Sequence, residues 1–122
     1  MQRVFQVGFH VPGTLAANLA IVWTAPFACQ LIHISVCGSN ANDGLFTCGT
    51  VADPNGYVTS IAIGDSLAPV EIEGISGFDG VLAGSQYPHI ADGDVLEFVL
   101  DYDGAAGTAT DDFTLVATFT EG

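Results

Sequence analysis

Apolar and polar residues alternate with a period of two along much of this chain, and only extended strands with one buried face satisfy that pattern. Phe5, Val7, Phe9 and Val11 share one side of a first strand, with Gln6, Gly8 and His10 on the other. The same alternation sets Leu96, Phe98, Leu100 and Tyr102 against Val95, Glu97, Val99 and Asp101. It returns in Phe113, Leu115, Ala117 and Phe119 against Thr114, Val116, Thr118 and Thr120. No segment carries a sustained helical repeat. Between these strands, Pro12-Gly13-Thr14 ends the first one, and Leu19 to Trp23 forms a short apolar strand closed by Thr24-Ala25-Pro26. In Gln30 to Cys37 the β-branched Ile32, Ile34 and Val36 are predicted inward, with His33, Ser35 and Cys37 outward. Leu45 to Val51 reads as a return strand. Asp53-Pro54-Asn55-Gly56 is a strong turn signal, and Tyr57 to Ile63 follows with Tyr57, Thr59, Ile61 and Ile63 on one face. Two consecutive hairpins are the simplest account of that region.

Residues 64–93 are the least regular, with glycines spread between short apolar pieces, and are read as one short strand over Val70 to Ile75 plus surface loops. Asp103-Gly104-Ala105-Ala106-Gly107 reads as a hairpin loop between the last two strands. The chain has 122 residues, one domain's worth, and buries about two-thirds of its unfolded surface in a single core. The expected fold is all-β: one β-sandwich or jelly roll of about seven or eight strands spanning residues 1–122.

Charge limits the partners. Fourteen acidic residues face one cation, Arg3, for a formal net charge of −13. Affinity for nucleic acid comes from Lys and Arg releasing counterions, and affinity for anionic lipid comes from the same residues, so neither partner is expected. An acidic coat favours solubility, repulsion between free copies and attraction to a basic protein surface. No stretch approaches the roughly 18 apolar residues that span a bilayer, and Met1-Gln2-Arg3 does not open a secretory signal, so a cytoplasmic site of synthesis and assembly is expected.

Catalytic and metal signatures are sparse. Cys29, Cys37 and Cys48 fit neither a disulfide framework nor a CxxC metal site. Eight residues of one strand hold Cys29 and Cys37 ~26 Å apart, too far to bridge, so buried small hydrophobes are the expected role and an intersubunit disulfide the alternative. His10, His33 and His89 lie on separate segments, and His33 reads as a hydrogen-bonded residue on the less apolar sheet face. No GxSxG elbow or cysteine-centred signature accompanies a base, so no catalytic residue is named and the chain is not read as an enzyme. Asp92-Gly93-Asp94, Asp101-Tyr102-Asp103 and Asp111-Asp112 could converge as oxygen ligands for calcium. They lack EF-hand spacing, and Asp and Gly are also the ordinary turn residues, so no metal or cofactor is assigned. Arg3, just before the first strand, is the one interface residue singled out: it could meet an acidic loop of its own assembly or a partner's carboxylate, against the plain reading of an exposed terminal residue.

The N-terminal FHVPGTLAANLAIVWTAPFACQLIHISVCGSNANDG, with its Pro-Gly-Thr-Leu turn, aromatic strand and Ala-Pro-Phe turn, resembles a pattern in small structural proteins of tailed bacteriophages. The C-terminal DGDVLEFVLDYDGAAGTATDDFTLVATF is similar to that group's ending. The chain departs from the group after the first loop, where Leu45-Phe46-Thr47-Cys48 replaces an acidic position. The resemblance implies a jelly-roll virion protein, specifically a head decoration (cement) protein. Such a protein binds the major capsid protein lattice on the capsid exterior, self-associates as a homotrimer and is assembled in the host bacterial cytoplasm. The rival reading is a carbohydrate-binding or host-surface-binding module of a tail fibre, which would expose an aromatic platform around Trp23, Tyr57 or Tyr87.

Overall fold

The computed structural model describes residues 3–64 and 68–122, and residues 65–67 of the irregular middle stretch lie outside it. Among the described residues nine strands form: β1 (Val4–Thr14), β2 (Leu19–Thr24), β3 (Cys29–Cys37), β4 (Leu45–Thr50), β5 (Val58–Ala62), β6 (Val70–Glu73), β7 (His89–Ile90), β8 (Val95–Asp101) and β9 (Asp111–Glu121). One turn of 3₁₀ helix, Ile75–Gly77, follows β6. The strand beyond the expected eight is β7, whose two residues are too few to show a period. No helix among the described residues is long and apolar enough to cross a membrane.

The strands divide into two antiparallel sheets. Sheet A has the order β1-β9-β3-β6, with β7 also pairing β3, and sheet B has the order β2-β8-β4-β5. Along the chain the strands therefore switch sheets at almost every step. Eight strands wound this way as two four-stranded layers make a jelly roll. This connectivity corrects two of the expected hairpins. Strands β4 and β5 do form one, its turn closed by the Gly56 N–H donating to the Asp53 carbonyl at 2.9 Å. By contrast, β3 and β4 lie in opposite sheets, and so do β8 and β9, so residues 38–44 and 102–110 arch across the sandwich. Alternation gives the inward face of a strand, but both sheets of a sandwich have the same inward face, so periodicity alone leaves the partner open.

Between the sheets, Phe46, Phe78, Phe98, Phe113 and Phe119 are fully buried with Leu31, Ile34, Leu96, Leu100 and Leu115. Each such side chain contributes about 1.5–3 kcal/mol by leaving water. Phe119 stacks against both Phe5 and Trp23, with centroids 5.1 and 4.6 Å away, and the three rings tie β1 and β2 to β9 at one end of the sandwich.

Two bulges correct the predicted faces. On β3 the register steps from Leu31↔Phe119 to His33↔Thr118, so Ile32 is an extra residue. Cys29 and Leu31 take the core positions ahead of it, and Ile34 and Val36 take those beyond it. Ile32, expected inward, is only half-buried. On β5 the step from Phe46↔Ile61 to Cys48↔Val58 puts Val58 in the core and leaves Thr59 exposed, so Tyr57, Thr59, Ile61 and Ile63 do not share a face. Each inserted residue shifts a period-two pattern by one place and turns the rest of the strand over. The first strand also runs past its expected stop: β1 continues through Pro12-Gly13 to Thr14, with an irregularity between Val11 and Thr14 absorbing the proline.

Candidate functional site

With the core filled, what the molecule can offer a partner lies on the two outer sheet faces, and they differ in chemistry. On sheet A, Gln6 Nε2 donates to Thr118 Oγ1 at 3.1 Å, and His10 Nδ1 lies 2.8 Å from Thr114 Oγ1. Ser35, His33, Glu71 and Glu73 continue this polar surface to the β6 edge. On sheet B, Ala20 pairs with Val99 and Thr24 with Val95 across β2 and β8, and Leu45 pairs with Ala62 across β4 and β5. Val22 is 59% exposed. The result is an apolar band interrupted by Glu97 and Asp101, on a chain whose net charge is −13.

At the β6 edge of sheet A, the bulge at Ile32 keeps His33 on the outer face while Leu31 and Ile34 stay in the core. Ile72 is buried, which turns its neighbours Glu71 and Glu73 outward on the same side. His33 is the cross-strand partner of Glu73, yet its Nε2 lies 3.3 Å from Glu71 Oε1. One ligand atom from each of the three residues falls within 4.8 Å of the other two. An imidazole nitrogen and two carboxylates are donors for a divalent metal ion. The sequence reading missed this trio because it depends on the register of β3 against β6, strands far apart in the chain. The spacing of Glu71 and Glu73 across one buried Ile was the signal available.

The residues expected to matter lie elsewhere. Arg3 is engaged within its own chain: its guanidinium binds the Glu121 carboxylate, with Nε 3.1 Å from Oε2, and its Cζ lies 5.7 Å from the Phe27 ring centroid. The Glu121 hydrogen bond and charge push the guanidinium pKa up. Among the described residues the paired aspartates form no group of three ligand atoms, and their oxygens accept hydrogen bonds from nearby loops. Asp94 Oδ2 accepts from the Ala91 N–H at 3.2 Å, and Asp101 Oδ1 from the Asp103 N–H at 3.1 Å. Asp112 accepts from the Gly13 N–H and from Ser39 Oγ, both at 2.7 Å, which holds its carboxyl below the usual range.

Trp23, Tyr57 and Tyr87 sit on separate elements, each packed against the core. Burial pushes the Tyr57 phenol up. The three cysteines are free: Cys29 and Cys48 are fully buried, which raises both thiols, and Cys37 is half-buried. His10 and His89 sit on β1 and β7, apart from His33 on β3. A shallow, open depression of about 260 Å³ is lined by Ala41, Asn42, Asp43, Gly64 and Thr108. In comparisons with known proteins, no family model, no curated protein and no solved structure matches the chain.

Proposed function

We propose that this chain is a structural virion protein, a decoration protein seated on the exterior of a phage head and reinforcing it, with the outer face of sheet B turned to the shell. The observation that carries the reading is the contrast between the apolar band of Ala20, Val22, Leu45, Ala62, Val95 and Val99 and the acidic remainder. An exposed apolar stretch rimmed by charge is what a protein-docking surface requires, and the acidic rim suits basic patches on a partner. Arg3 is satisfied inside the chain, so the surface has no cation of its own to offer a polyanion. The jelly-roll winding and the resemblance of the two chain ends to small phage structural proteins point the same way.

Grouping into homotrimers belongs to this proposal and requires a second surface, because a cyclic trimer joins two different patches, whereas one self-complementary patch gives a dimer. A protein that binds only the assembled lattice stabilises it by RT ln(1 + [L]/Kd) per site, summed over many copies. The test compares DNA release on heating for heads with the protein, heads without it, and stripped heads to which wild type or Val22→Asp/Val99→Asp is added back. Wild type should restore the release temperature and the double variant should not. If stripped heads release DNA at the unchanged temperature but lose attachment to host cells, the adhesion reading replaces this one.

A further inference from the structure

We propose that His33, Glu71 and Glu73 form a binding site for one first-row divalent metal ion of the Zn²⁺ class, and that the ion clips the edge strand β6 onto β3. The geometry carries this first. Zinc bonds to imidazole nitrogen and carboxylate oxygen are about 2.0–2.2 Å, so ligand atoms on adjacent corners of a tetrahedron lie about 3.3 Å apart. His33 Nε2 and Glu71 Oε1 are already 3.3 Å apart. Since the three donor atoms fall within 4.8 Å of one another, Glu73 has to close by at most about 1.5 Å, within reach of an exposed glutamate's torsions.

The donor set comes next. One imidazole with two carboxylates favours zinc-class ions over Mg²⁺ and Ca²⁺, which take all-oxygen shells. Three protein ligands leave a fourth corner to water, and on an outer sheet face that corner points to solvent.

Location supplies the consequence. Strand β6 has four residues and forms the edge of sheet A, paired among the described residues only to β3, and Gly74, with a positive φ of 68°, follows it. The two carboxylates stand on the same face of this short strand with His33 opposite. An ion shared by both strands replaces the repulsion between Glu71 and Glu73 with bonds that cross the β3–β6 ladder. The bulge at Ile32 lets Leu31 and Ile34 both face the core while His33 between them stays outward.

Isothermal titration of the metal-stripped full chain with Zn²⁺, repeated with Mg²⁺, tests the site. One Zn²⁺ per chain is expected, with Mg²⁺ at least tenfold weaker. His33→Ala should weaken Zn²⁺ binding by roughly 10- to 100-fold, and so should Glu73→Gln, a change at an exposed residue that leaves the core untouched. His10→Ala/His89→Ala should bind as wild type does. Hydrogen exchange should show slower exchange of the β6 amides on adding Zn²⁺ to wild type and no change in Glu73→Gln. The proposal is overturned if Zn²⁺ and Mg²⁺ bind alike, if no one-to-one binding is seen at Zn²⁺ concentrations up to about 10⁻⁴ M, or if Glu73→Gln binds as tightly as wild type. Attachment to phage heads has no bearing on any of these outcomes.

Discussion

Replacing Asn42 by Ala should cost far more than a loop asparagine ordinarily does, because its side chain is the buried joint between two loops that arch across the sandwich. Asn42 is 6% exposed and Thr110 is fully buried. Asn42 Oδ1 accepts from the Gly44 N–H at 2.8 Å and from Thr110 Oγ1 at 3.0 Å, and its Nδ2 donates to the Asn40 carbonyl at 3.0 Å. The backbone closes tightly around it: a Cβ on Gly44 would lie 2.6 Å from Thr110 Oγ1, and one on Gly64 would lie 2.0 Å from the Asn42 carbonyl oxygen. Truncation strands the Gly44 N–H and the Thr110 hydroxyl, each at about 1–3 kcal/mol when left buried and unpaired. Because Asn42 also lines the open depression, water can reach part of the vacated space, so the lower half of that range applies: a loss of about 2–4 kcal/mol.

Thr110→Val alone removes one hydrogen bond while Asn42 Oδ1 keeps the other, for about 1 kcal/mol. In the double variant the stranded hydroxyl is gone, so the two losses should fall short of additivity by about 1 kcal/mol. Urea unfolding of the four proteins at constant m measures all three quantities. A loss below about 0.5 kcal/mol for Asn42→Ala, or strict additivity, would show that the loops are joined by something other than this amide.

Other residues give predictions of different sign. Asp112→Asn tolerates the left-handed backbone there (φ 49°) but removes a carboxylate whose pKa is lowered first by the Gly13 N–H and then by Ser39. A depressed folded pKa contributes stability above the unfolded value, lost as pH falls through the folded one, so the melting-temperature gap to wild type should be full at neutral pH and narrow as pH falls below the ordinary carboxylate range. Gly80→Ala should destabilise by several degrees or fail to fold, since its Cβ would lie 2.0 Å from the Gly56 carbonyl oxygen, itself held by the Val81 N–H at 2.7 Å. Gly8→Ala, with only the Leu115 carbonyl oxygen at 3.8 Å, should be neutral or raise the melting temperature. In thiol titration under native conditions Cys37 should react while Cys29 and Cys48 stay protected until denaturant is added; reaction of all three at one rate would contradict their burial.

The inside and outside of a strand were legible wherever the chain kept an unbroken period of two. The four buried apolar residues of β9, Phe113, Leu115, Ala117 and Phe119, lie where alternation puts them, as do Leu96, Phe98 and Leu100 of β8. Legibility stopped at Ile32 and at Thr59, because a bulge is a choice between two registers whose energy depends on a partner strand that the local sequence does not name. Strand pairing was hidden for the same reason. Residues 102–110 have the composition of a hairpin loop, but the Asp43 N–H donates to the Thr108 carbonyl at 3.0 Å and the Leu15 N–H to the Thr110 carbonyl at 3.0 Å, so loops remote in sequence hold this one as a crossing between sheets.

The trio on sheet A was hidden by the second of these losses. Alternation with Ile34 and Val36 already sets His33 outward, but it is the pairing of β6 with β3 that places Glu71 and Glu73 beside it, and without that register the chain shows a lone histidine and two ordinary surface glutamates. Side chains that meet through the pairing of strands remote in sequence, as His33 meets Glu71 and Glu73, are therefore the first place to look for chemistry that periodicity cannot display.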